Sequence, residues 1–132
     1  MRILYFHQHF TTPNGCAGIR SYEMARRLIH HGHQVTMVCG SYDGGETGLT
    51  SKFVGGKRSG CVDGIDIVEF DLVYSNRDGY IKRALIFFKF AVKSIGISLT
   101  QKYDVVFATT TPLTAGIPGV FARWLRSKPF VF

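Results

Sequence analysis

An apolar strand, a glycine-bearing loop, an amphipathic helix, a capping glycine and a second β-branched strand follow one another within residues 1–40. That succession leaves few folds open. Arg2 to His7 reads as a buried strand and Phe10 to Gly18 as a polar loop carrying Pro13, Gly15 and Gly18. Ile19, Tyr22, Met24, Ala25, Leu28 and Ile29 then recur at helical spacing, with Arg20, Glu23, Arg26 and Arg27 between them. Gly32 stands where a helix-ending glycine belongs, after His30 and His31 in the last turn. Val35 to Cys39 supplies the next strand. Two strands joined through a helix must run parallel, so the chain predicts a parallel sheet covered by helices.

The remainder extends this plan. Gly40 to Gly60 is polar, rich in glycine and without periodicity, and so long a loop in a compact domain is usually functional or mobile. Val62-Asp63-Gly64-Ile65 reads as the turn of a small hairpin insertion, feeding a strand from Ile65 to about Phe70. Tyr80 to Leu99 predicts a long helix, Val105 to Thr109 a strand, Thr114 to Leu125 a helix, and Phe130 to Phe132 the opening of another strand. The fold class expected is α/β, a Rossmann-like parallel-sheet sandwich. Ending inside an apolar strand predicts a truncated piece of a longer protein.

Composition narrows the function classes. With 45% hydrophobic and 19% charged residues the chain is not generally disordered. Its greasiest run, Ala84 to Val92, is broken by Lys89 and falls short of the roughly 20 apolar residues a membrane span needs. The apolar Ile3-Leu4-Tyr5-Phe6 after Met1-Arg2 is too short for a signal peptide. The three cysteines, Cys16, Cys39 and Cys61, form no Cys-x-x-Cys pair, which argues against a disulfide framework or a structural zinc site and for a reducing cytoplasm.

Several constellations can carry chemistry. Glycines at a helix N-terminus let backbone amides approach an anion, so Gly15 to Gly18 predicts a phosphate or carboxylate site; the same spacing also serves a plain turn. The loop lacks the dinucleotide Gly-x-Gly-x-x-Gly pattern, and no Gly-Lys-Ser/Thr occurs, so NAD and ATP sites of those kinds are not expected. His7 and His9, two apart, can face one cleft, but no ligand set for a metal surrounds them in sequence; His9 is a candidate cleft residue. Thr109-Thr110-Thr111-Pro112 follows a strand on the same sheet edge. Its hydroxyls can bind a sugar or phosphate oxygen, or simply cap the next helix.

Charge is uneven. The net charge is +7, and between Asn76 and Tyr103 Arg77, Lys82, Arg83, Lys89, Lys93 and Lys102 face only Asp78. Lys82, Lys89 and Lys93 share a helix face, and Phe87, Phe88 and Phe90 spread around more than one side. Such a helix suits an anionic membrane surface, or it covers the sheet with its lysines in solvent. Nucleic acid is not expected as a partner, since no reader motif accompanies the charge.

Met1-Arg2-Ile3-Leu4-Tyr5, the loop Gly15-Cys16-Ala17-Gly18-Ile19-Arg20, Glu23-Met24-Ala25-Arg26-Arg27-Leu28 and Gly32-His33-Gln34-Val35-Thr36 resemble the start of a family 4 glycosyltransferase. Thr111-Pro112 with Gly116, and Lys128-Pro129-Phe130-Val131-Phe132, resemble the subgroup that builds bacterial surface polysaccharides, including the O-antigens of lipopolysaccharide. The loop departs from the family's commoner Gly-Gly by having Gly15-Cys16. The resemblance implies a GT-B fold in which residues 1–132 form an incomplete, acceptor-side N-terminal domain and the donor-binding C-terminal domain lies outside the chain. It implies a retaining transferase that moves a sugar from a nucleotide-sugar to a lipid-linked or saccharide acceptor, with no cofactor and no metal. Gly15 and Gly18 would face the donor phosphates, with His9, Arg20 and Thr110 lining the cleft and no catalytic residue assigned. The partners implied are the nucleotide-sugar, the acceptor, the missing C-terminal domain and an anionic membrane surface touched by Lys82, Arg83, Phe87, Phe88, Lys89 and Lys93. The protein would then be cytoplasmic and peripheral on the inner membrane face. The family's paired glutamates and basic donor residues lie beyond the matched region, so this chain alone is not expected to transfer sugar. The other reading is a non-catalytic Rossmann-like module that binds a membrane or a partner.

Overall fold

Residues 3–6 offer no polar face, the mark of a strand covered on both sides. The computed structural model, which describes residues 1–110 and 112–132, places this strand, β1 (Arg2–Phe6), inside a six-stranded sheet. There follow α1 (Arg20–His30), β2 (Gln34–Tyr42), β3 (Lys57–Val62), β4 (Ile65–Tyr74) and α2 (Tyr80–Thr100). Then come β5 (Val105–Ala108), a 3-10 turn (Leu113–Gly116), α3 (Ile117–Arg126) and β6 (Phe130–Val131). The sheet order is β3-β4-β2-β1-β5-β6, antiparallel only between β3 and β4. Without the β3 hairpin the parallel strands follow the Rossmann order, which reverses between β1 and β5.

Alternation along each strand divides the core between the two faces. Ile3, Tyr5, Val35, Met37, Ile65 and Ile67 pack on one face with Ala25 of α1. Leu4, Phe6, Val38, Val68 and Phe70 pack on the other, beneath Ile86, Phe90 and Ile97 of α2 and Ala122 of α3. Each large side chain buried this way contributes about 1.5–3 kcal/mol. A one-residue slip would exchange the faces, so the pattern itself fixes the register.

The punctuation follows local chemistry. Gly32 has φ of +86°, and its amide and that of His33 close on the carbonyls of Ile29 and Leu28, a Schellman ending for α1. Asp63 and Gly64, at φ of +51° and +82°, turn β3 into β4 as the Asp-Gly pair predicts. Several boundaries differ from the sequence reading: β2 runs on past Cys39 to Tyr42, and β3 starts at Lys57, so both take in residues of the expected Gly40–Gly60 loop. β4 runs on past Phe70 to Tyr74 because Leu72 and Tyr74 keep the buried alternation beneath α2. The helix expected from Thr114 is split, with a 3-10 turn through Gly116 and α3 proper starting beside Pro118, which lacks an amide to donate. Thr111, read as a possible helix cap, lies outside the described residues.

Part of the basic charge is structural. Arg126 donates to the carbonyls of Ser98 and Gln101 at 3.1 and 2.6 Å, closing the C-terminal end of α2 from the end of α3. No helix among the described residues is long and apolar enough to cross a membrane.

Candidate functional site

In an open α/β sheet, ligands sit beyond the carboxyl ends of the strands where the order reverses. Here β1 hands over to a tight turn that presents His7 and His9 at that edge. A cavity of about 440 Å³ opens above them. Its walls are Ala17 and Gly18 from the loop before α1, Tyr42 and Tyr74 from the ends of β2 and β4, Asn76, and Arg83 from the first turn of α2. A second cavity of about 320 Å³ lies beside it, with Arg20, Thr109, Thr110, Tyr5 and Phe107 among its walls. His7 joins the two, since its Nδ1 is hydrogen-bonded to the Thr109 hydroxyl.

The glycine loop is held from outside. Cys16 donates its amide to the Gly44 carbonyl at 2.7 Å and Thr12 to that of Glu46 at 2.7 Å, while the Glu46 amide donates to the Thr11 hydroxyl at 2.9 Å. The glycine-rich segment from Gly40 onward is therefore a brace for the site loop. The buried Thr47 fixes the brace to the sheet, donating at 2.8 Å to the carboxylate of Glu69, which Arg58 also holds at 2.8 Å.

This bracing separates the two glycines expected to meet phosphate. A Cβ at Gly15 would lie 2.0 Å from the Thr11 hydroxyl and 2.9 Å from the Glu46 backbone, and its amide already donates to the Thr12 carbonyl. Gly15 is thus needed for close packing, and its amide is engaged within the loop. A Cβ at Gly18 would meet nothing within 4 Å. Gly18 borders the larger cavity at the entrance to α1, whose first turn has no side-chain cap.

The remaining expected site residues divide between the cavities: His9 lines the larger one, Arg20 and Thr110 the smaller. His9 packs at a tilt against Tyr74 and Tyr42, with ring centroids 4.4 and 5.0 Å apart, and lies 6.1 Å from Phe87. Burial, with Arg83 beside it, pushes its imidazole down to about 4; burial, then His9 and Arg20, does the same to His7. Both rings are neutral at pH 7, ready to accept a hydrogen bond at one nitrogen and donate at the other. Among the described residues no three His, Cys, Asp or Glu side chains gather as a metal site would require.

The helix expected to meet a membrane has two different faces. Lys82, Phe88 and Lys89 point outward, joined by the exposed Ile81, Leu85 and Val92, whereas the Lys93 ammonium folds back over the Phe70 ring, 5.5 Å from its centre. Arg83 and Phe87 do not belong with them. Phe87 stacks on Tyr74 at 5.3 Å, and the Arg83 guanidinium lies 5.6 Å from the centre of the same ring. Sequence reading, which let His7 and His9 face one cleft, missed Tyr42, Tyr74, Asn76 and Arg83 as residues of the same cavity. Arg83 shares the helical stripe of Ile86, Phe87 and Phe90 that turns to the sheet, but Ile81, Leu85, Phe88 and Val92 make an equally apolar stripe on the other side, so the sequence does not mark it.

The chain matches no protein-family model and no curated protein. Among solved structures it is similar to one described as trehalose-6-phosphate from E. coli bound with UDP-2-fluoro glucose, at 10% identity and a TM-score of 0.45. The match covers 82% of this chain and 27% of the other, so the chain spans little more than a quarter of that protein's length. The fold described above rests on the strand order alone.

Proposed function

We infer that the chain is the acceptor-side, N-terminal half of a retaining glycosyltransferase of the GT-B kind, which moves a sugar from a nucleotide-sugar to a lipid-linked or saccharide acceptor. The observation that carries this reading is the meeting of an open helix N-terminus at Gly18 with a cavity of neutral imidazoles and aromatic rings, at the edge where the strand order reverses. The sequence resemblance supplies the reaction class. On this reading the amides at the start of α1 steady the donor diphosphate, and the sugar to be extended enters from the side of His9. The transfer needs a second domain to hold the nucleotide. The product is a surface polysaccharide, and the outward stripe of α2 rests on the anionic inner leaflet.

Nucleotide-sugar titration of the intact protein, using UDP-, GDP- and dTDP-linked sugars, tests the donor site. Gly18→Val adds a side chain where the fold leaves room, so the melting temperature should hold while affinity for the preferred donor falls at least tenfold. Equal affinity in the variant overturns the glycine role. Failure of all donors to bind favours the module reading, which the exposed stripe of α2 also supports.

A further inference from the structure

Arg83 is a cation facing a cavity without a counter-ion. Its Nε is buried and has no hydrogen-bond partner, and none of the ion pairs among the described residues includes it. Asp78, a little over one turn earlier, is engaged by Lys82 at 2.8 Å. No carboxylate lines the cavity that Arg83 enters. An unpaired, partly desolvated guanidinium costs stability, and its planar fork of donors matches a carboxylate or phosphate.

The neighbours of Arg83 restrict what carries that anion. The His9 ring packs at a tilt against both tyrosines, with centroids 4.4 and 5.0 Å away, and Tyr74 stacks on Phe87, so no parallel slot between rings is open for a flat base. What remains is hydrogen-bonding capacity. The buried Nδ1 of His9 has no partner, and the Tyr74 hydroxyl donates to Asn76 Oδ1 at 3.0 Å, leaving the Asn76 amide hydrogens free to donate. Hydroxyl groups around a sugar ring suit such a rim. We propose that this cavity takes a sugar that itself bears an anionic group, phosphate or carboxylate, clamped by Arg83 and hydrogen-bonded by His9 and Asn76. The inference rests on the glycosyltransferase reading for the role of this sugar as acceptor, whereas the anion is argued from Arg83 itself.

Calorimetric titration of the intact protein tests it with methyl glucoside, glucose 1-phosphate, glucuronate, inorganic phosphate and UMP. A short-chain prenyl phosphosugar added as a further arm tells a lipid-linked source from a free one, since whichever binds tenfold tighter is the source. The anionic sugars should bind at least tenfold tighter than methyl glucoside and inorganic phosphate. Arg83→Gln should remove that preference at an unchanged melting temperature, and Arg83→Lys should keep part of it. Equal binding of neutral and anionic sugars, tighter binding of UMP, no binding at all, or a preference that survives Arg83→Gln each overturns the proposal. The donor test is separate: loss of donor binding with the anionic-sugar preference intact removes the donor reading and leaves the Arg83 clamp standing.

Discussion

Two imidazoles packed among rings and beside arginines make acid the weak point of this site. The folded protein binds protons at His7 and His9 only near pH 4, because burial and then neighbouring positive groups oppose the charged form. The unfolded chain binds them near 6.5. Stability is therefore fully present above about pH 6.5 and falls as pH drops toward 4. Thermal melts between pH 7.5 and 5 should show the decline, each kcal/mol lowering Tm by roughly 3–5 °C for a domain of this size. His7→Gln or His9→Gln should flatten it, and a pH-independent Tm would contradict the assignment. At this scale the sequence was readable only where chemistry is local. Gly32 and Asp63-Gly64 announced their turns because positive φ excludes most side chains. Gly15 and Gly18 looked equivalent, and only the packing of residues 44–46 against the loop tells them apart.

Helix α2 serves two environments at once. One face buries Ile86 and Phe90 and sends Phe87 and Arg83 to the cavity; the opposite face exposes Ile81, Leu85, Phe88 and Val92, flanked by Lys82, Lys89 and Lys93, the last with its ammonium over Phe70. If the outward face rests on anionic lipid, each lysine near the surface contributes about 1 kcal/mol. Changing all three to glutamine should then lower partitioning to phosphatidylglycerol vesicles by about a hundredfold, and Phe88→Asp should lower it further, with melting temperatures unchanged. Co-sedimentation checks this, and equal pelleting of wild type and the triple variant would contradict it. The length of α2 was legible from its apolar content. Its division into faces was not, because with apolar residues on nearly every side the sequence period does not say which stripe meets the sheet. The reverse held for β4: alternation turns Leu72 and Tyr74 inward, although the strand was expected to end at about Phe70.

The whole molecule is a Rossmann-like sheet with α1 on one face, α2 and α3 on the other, and a hairpin added at the edge beside β4. That architecture was legible from the βαβ start and from the order of elements, since parallel neighbours must be joined by crossovers of one hand. The cavity was not, because its walls come from five separate segments, Ala17 to Gly18 and the ends of β1, β2, β4 and the start of α2, that only the closed sheet brings together. On the proposed reading the open entrance of α1 at this edge receives the diphosphate of a nucleotide-sugar. Amide hydrogen exchange on the intact protein, with and without a saturating preferred donor, tests this. Exchange should slow at residues 17–22 and in the turn bearing His7 and His9. Unchanged exchange there, with protection confined to other parts of the protein, would contradict it.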